Sequence, residues 1–213
     1  YFTAPGLKII GEAGPSTPLV YLNAPNIEKI EDLGLNYSNL TELDLPKLTY
    51  AGYASFSENK YLAKAKMPSL NIVPDSAFNN CSRLEEVELD SAVELESSAF
   101  ENCWLLRDVY VPDVEIMGDM GFAYCDNLRK ISLPNLLRMD GKCNFEGCST
   151  LTKIDLPILQ NIPEQTFMYC YMLSDINMPK VEQIGYQAFY DTYSLGNIQF
   201  DSLKVLGDEV FVN

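Results

Sequence analysis

The sequence predicts an α/β solenoid: a stack of about ten coils of roughly 22 residues, each with one parallel strand and one short helical or 3-10 turn. Three observations predict it. A segment reading F-x-x-C-x-x-L-x-x-(V/I)-x-hydrophobic starts at Phe78, Phe100, Phe122, Phe145, Phe167 and Phe189, with Thr192 in place of cysteine in the last. A proline or aspartate closes successive copies at Pro46, Pro68, Asp90, Pro112, Pro134, Pro157, Pro179 and Asp201, 22 residues apart except for a step of 23 between Pro134 and Pro157. A unit this small cannot bury its own apolar positions, so copies must stack on one another. Shorter units at Pro5 and Pro25 carry the pattern backwards, so residues 1–213 read as one repeat domain.

Each element of the coil follows from its residues. The L-x-x-(V/I)-x-L stretch places alternate side chains inward, as with Ile131 and Leu133, which is what a short strand requires. Proline or aspartate then removes, or competes for, a ladder hydrogen bond and ends the strand. An apolar pair follows, such as Leu159 and Ile162 or Val181 and Ile184, with a second short strand expected around Gln183-Ile184. Turn residues such as Gly118-Asp119 and Gly185-Tyr186 come next. The remaining segment, as in Ser97-Ser98-Ala99-Phe100, is too short for a long helix and suits one helical or 3-10 turn.

Composition narrows the function. The chain carries 30 acidic against 15 basic side chains, a net charge of −15, and no histidine. Lack of histidine excludes Ser-His-Asp and Cys-His nucleophiles and imidazole metal ligands. The negative surplus repels phosphate backbones and anionic lipid, so neither nucleic acid nor a membrane surface is an expected partner. No apolar run approaches the roughly 20 residues that cross a bilayer. The start at Tyr1, without methionine or a signal-like n-region, leads to the expectation of a trimmed chain, its signal or anchor upstream.

The repeated F-x-x-C-x-x-L-x-x-I-x-L-P, seen entire from Phe122 to Pro134, resembles the BspA-like leucine-rich repeats of bacterial surface and secreted proteins. The resemblance covers nearly the whole chain. It implies a right-handed leucine-rich superhelix, an extracellular or cell-surface location, and a role in adhesion to host proteins or other cells. This chain departs from the family pattern in its first three units, which lack the Phe and Cys signature, and in having one polar residue instead of two after the proline.

Residues with chemical potential fall into repeat positions. Cys81, Cys103, Cys125, Cys148 and Cys170 share one position and form a buried column, since in-register side chains make poor disulfide geometry. Cys143, at the one-residue insertion, reads as a packed turn residue. With no CxxC pair and no D-x-D-x-D-G loop, no metal and no cofactor are expected. Eleven acids between Glu85 and Asp119, with Arg107 as the only base, read as a solvated face and not as a catalytic pair. No catalytic residue is assigned.

Two surfaces are candidates for binding. Outward strand positions read Glu42 and Asp44, Lys64 and Lys66, Glu86 and Glu88, which should pair across strands and neutralise each other. From there the face becomes mixed: Asp108, Tyr110, Lys130, Lys153, Asp155, Asp175 and Asn177, then Asn197 and Gln199. Trp104, Tyr124, Tyr169, Tyr171, Tyr190 and Tyr193, with Met168 and Met172, form an aromatic flank around the cysteine positions. The expected function is a non-enzymatic binding or adhesion module for a protein partner. A glycan-binding module and a structural spacer are the alternatives.

Overall fold

The computed structural model describes residues 1–12, 18–196 and 198–212. It is a parallel-strand solenoid of about nine turns. Each full coil has three sides. One carries the main strands, three residues long in Glu42–Asp44, Lys64–Lys66, Glu86–Glu88, Asp108–Tyr110, Lys130–Ser132, Lys153–Asp155 and Asp175–Asn177. The second carries two-residue strands, from Ile9–Ile10 and Lys29–Ile30 through Ile116–Met117 and Gln183–Ile184 to Val205–Leu206. All pairing is parallel, with each residue beside its counterpart in the next coil, as in Lys64↔Glu86↔Asp108. Each main strand points its middle residue inward, as Val87 and Ile154 do, and its neighbours outward. The tenth main strand would fall around Asn197, which lies outside the described residues.

The third side corrects the sequence reading. No α or 3-10 helix occurs among the described residues, so the helical turn and the α/β class give way to an all-β solenoid. Amide bookkeeping explains this. Ser76, Phe78 and Asn80 donate their N–H groups to the carbonyls of Ser97, Ala99 and Glu101 in the next coil, at 2.8–2.9 Å. The alternate amides of Ala77, Asn79 and Cys81 close tight turns onto Pro74, Ser76 and Phe78. A helix would need all these amides directed along its own axis to residue i−4. Every second residue of the ribbon faces a neighbouring coil instead, which requires left-handed backbone at two positions per coil. Ser76 (φ 58°) and Asn80 (φ 60°) hold them here, and Met120 (φ 53°) and Tyr124 (φ 58°) two coils on. Such a conformation costs a side-chain-bearing residue roughly 1–2 kcal/mol, and the intercoil bonds offset it.

Inside the turn side runs a stack of phenylalanines: Phe56, Phe78, Phe100, Phe122, Phe145, Phe167, Phe189 and Phe211. Ring centroids are 5.1–5.6 Å apart at every step. Beside it stand five of the six cysteines, all free and buried. Each thiol donates to a phenylalanine carbonyl of the preceding coil: Cys81 to Phe56, Cys103 to Phe78, Cys125 to Phe100, Cys148 to Phe122, and Cys170 to Phe145, at 3.1–3.2 Å. Thr192 makes the same bond to Phe167. Asn59 occupies the position at the other end and donates to Leu35 and Phe56. The shared property is therefore a small buried donor that finds its partner in the preceding coil, at a carbonyl that already accepts one bond within its own turn.

The inserted residue is absorbed by a bend at Gly141 and Lys142, where the Lys142 N–H donates to Asp119 at 2.6 Å. A Cβ on Gly141 would meet the Asp119 carboxylate at 2.1 Å, so glycine is required there. Cys143 is buried in left-handed backbone just beyond it. No helix of the described residues is long and apolar enough to cross a membrane.

Candidate functional site

Both strand ladders have gaps, and a surface recess sits at each of them. On the short-strand side the residue after each strand donates to the previous coil, as Gly118 does to Leu95, Gly185 to Ile162 and Gly207 to Ile184, each at 2.8 Å. Pro74 and Pro163 occupy this position in their coils and have no N–H to give. The short-strand ladder is interrupted at those two coils, between Ala51 and Ile72 and between Met139 and Asn161. An open recess of about 570 Å³ lies at the second interruption, lined in part by Met139, Ile162, Pro163 and Ile184.

The main ladder opens twice, between Leu22–Asn23 and Glu42–Asp44 and between Asp108–Tyr110 and Lys130–Ser132; the second opening gathers the residues of interest. A series of amide bonds runs from Leu45 to Lys66, Met67 to Glu88 and Leu89 to Tyr110, and resumes from Leu133 to Asp155. Its missing member is the bond from Val111 to Ser132. No proline accounts for this gap. The space is a recess of about 440 Å³ lined by Tyr110, Pro112, Lys130, Ser132, Lys153 and Asp155, among others. Four of the residues singled out from the sequence, Tyr110, Lys130, Lys153 and Asp155, thus meet around one opening, the Tyr110 side chain being 54% exposed.

Charges differ on the two sides of that gap. Toward the N-terminus Lys64 pairs with Glu86 at 2.8 Å and Lys66 with Glu88, and both lysines are raised above their ordinary pKa, chiefly by those hydrogen bonds. Glu42 lies in register with Lys64 but forms no ion pair with it among the described residues. Arg107 bridges Glu85 and Asp108. Beyond the gap Lys153 pairs with Asp175, and Asp155 accepts from both Ser132 and Asn177. Lys130 stands in register with Lys153, like charge beside like, and forms no ion pair among the described residues.

The aromatic flank resolves into one cluster and two outliers. Tyr171 and Tyr193 stack at 5.7 Å with planes 11° apart, Tyr169 lies 6.2 Å from Tyr171, and Tyr190 meets Tyr169 edge-on at 6.2 Å. Trp104 is exposed but stands apart, because the equivalent positions in the next two coils are Asp126 and Ser149. Tyr124, another member of the expected flank, is also separate from the cluster: it donates to Glu146 at 2.7 Å and packs over Gly147, where a Cβ would meet its ring at 2.5 Å. That carboxylate raises the Tyr124 phenol well above its usual range, with burial adding to the effect. The signal for this pairing was available as a tyrosine and a glutamate 22 residues apart.

The buried thiols are held in their protonated form. Burial pushes the thiols of Cys81 and Cys148 up to about 12 and those of Cys103, Cys125 and Cys170 well above their ordinary value. Burial does the same for Cys143, to about 12, with Glu146 adding to it. Among the described residues no group of three His, Cys, Asp or Glu side chains could hold a metal ion.

Stacked parallel strands, repeat-position columns and recesses at ladder gaps define a repeat scaffold of the leucine-rich class. The sequence matches the model of the BspA type leucine-rich repeat region over residues 15–107 and 93–213, and the chain belongs to that family. No curated protein matches it. A leucine-rich repeat protein from Bacteroides ovatus superposes with a TM-score of 0.65 at 21% identity, covering 94% of this chain and 66% of the other. One from T. pallidum gives 0.67 at 20%, covering 92% and 87%. A leucine rich cell surface protein from Faecalibacterium prausnitzii gives 0.55 at 22%, covering 82% and 58%. At these identities the likeness is one of fold. The chain spans slightly under two thirds of the Bacteroides protein and less of the Faecalibacterium one.

Proposed function

We propose that the chain is a non-enzymatic protein-binding module of an exported, cell-surface bacterial protein, that residues 1–213 act as one domain, and that its role is adhesion. The observation that carries this reading is the recess at the Tyr110 gap in the main ladder. It gathers an exposed ring, an ammonium without an ion pair among the described residues, a hydroxyl and a carboxylate at one opening, and so combines apolar area with directional polar groups, as protein-recognition sites do. The description of the Faecalibacterium relative as a cell surface protein supports the location, and family membership supports a binding role over an enzymatic one.

Capture of the protein on a panel of immobilised host matrix proteins tests the proposal. The expected outcome is binding that Tyr110→Ala or Lys130→Ala weakens about tenfold with the melting temperature unmoved. Full binding by both variants would remove the recess from the interface. Specific hits on a glycan array that Tyr110→Ala abolishes would replace the protein partner with a saccharide.

A further inference from the structure

The molecule covers some of its exposed tyrosines with its own cations. Lys29 stands over the ring of Tyr50 at 4.7 Å and Arg83 over Tyr61 at 5.7 Å. Both pairs lie in the N-terminal half. The C-terminal quartet of Tyr169, Tyr171, Tyr190 and Tyr193 is the largest group of touching tyrosine rings among the described residues, and no Lys or Arg of those residues stands over any of them.

The surroundings of the quartet are anionic. Between Pro157 and Val212 the only bases are Lys180 and Lys204, against Glu164, Asp175, Glu182, Asp191, Asp201, Asp208 and Glu209. Lys204 is already paired with Glu182. Asp191 follows Tyr190 directly and acts on two of the rings. Hydrogen bonding to it is the main cause raising the Tyr193 phenol, and after burial and Tyr190 it adds to the rise at Tyr169. Aromatic faces with a carboxylate at their edge attract a cation twice over, by ring quadrupole and by charge.

We infer that the quartet, with Asp191, receives the arginine or lysine side chain of a protein partner. This is a second contact surface, on the turn side, independent of the recess on the main-strand side. The stacked pair Tyr171 and Tyr193 offers the flat aromatic area against which a guanidinium stacks, and Tyr171, inside the stack of coils, is itself 42% exposed. The overall charge of −15 draws basic segments toward the whole molecule, so the test must separate this site from the general field.

The probe is a blocked Gly-Ser peptide carrying two arginines, titrated into the protein and followed by amide chemical shifts. Binding is expected to perturb residues 169–193. The citrulline version of the peptide should bind at least about tenfold more weakly, as should the arginine peptide to Asp191→Asn or to Tyr171→Leu combined with Tyr193→Leu. Asp90→Asn, which removes a distant acid, should leave affinity unchanged. Equal binding of the citrulline peptide would overturn the inference. So would unchanged affinity in the leucine pair, or an Asp90→Asn loss as large as that of Asp191→Asn. Melting temperatures of the leucine variants identify any loss that comes from unfolding, and in that case Asp191→Asn decides alone.

Discussion

The turn side and the strand sides of the solenoid differ in continuity. On the turn side three amide bonds link each coil to the next, and all three are present at each of eight successive interfaces, from Leu33 to Val212. The phenylalanine stack crosses every one of the later interfaces, including the inserted residue, where its spacing widens only from 5.2 to 5.6 Å. Both strand ladders, by contrast, are interrupted. The irregular-looking ribbon is therefore what holds the register, and the strand sides can lose hydrogen bonds locally and become surface recesses without unstacking the coils.

That comparison predicts the largest loss of stability from the turn side. Phe122→Ala removes a fully buried ring with a stacked neighbour above and below, and leaves a cavity that neither adjacent coil can fill while its own bonds hold. A cost of about 3–5 kcal/mol in urea unfolding is expected. A change under about 1 kcal/mol would show that the ring stack does not carry the register.

The cysteine column sharpens the same point through pH. Burial keeps the thiols of Cys81 and Cys148 protonated up to about 12, whereas thiols in an unfolded chain ionise near 8.5. Above that pH the unfolded state releases protons that the folded state keeps, so stability falls as pH rises, and each thiol's share stops growing at its folded pKa. Each contributes a slope of about 1.4 kcal/mol per pH unit within this window. Cys125→Thr copies the substitution that the fold already uses at Thr192 and should keep the bond to Phe100. The variant should lose one thiol's share of the alkaline slope while staying near the parent stability at pH 7. An unchanged slope would mean that the thiols are not shielded from base.

How much of this the sequence discloses depends on which atoms decide each feature. Side-chain columns are legible, because burial selects residue type: the Phe and Cys positions, the inward residue of each main strand and the short strand at Gln183–Ile184 all follow from the repeat. Phe56 and Phe211 extend the ring stack beyond the recognised copies, since at Phe56 the cysteine position is Asn59 and the motif is disguised. The turn ribbon is not legible, because backbone amides decide it and its left-handed positions are filled by Met120, Tyr124 and Tyr169 as readily as by Asn80 or Gly147. The recess at Tyr110 has no sequence signal at all. The tyrosine quartet was visible as a flank, but only register shows that Trp104 lies outside it.

The smallest expected effect lies at the interruption that does have a sequence signal. Pro163 stands where later coils place Gly185 and Gly207, and it leaves the Met139 carbonyl without the bond that those glycines give their neighbours. Pro163→Gly supplies the missing N–H, a net gain of about 0.5–1.5 kcal/mol if the ladder closes. Glycine also frees the unfolded chain that proline restrains, which costs about as much as the bond returns. Urea unfolding should therefore shift by less than about 1 kcal/mol in either direction, while the new amide at position 163 becomes protected from hydrogen exchange. Rapid exchange at that amide would show that the inserted residue at Gly141 and Lys142 keeps the ladder open on its own, with the proline following the gap and not causing it.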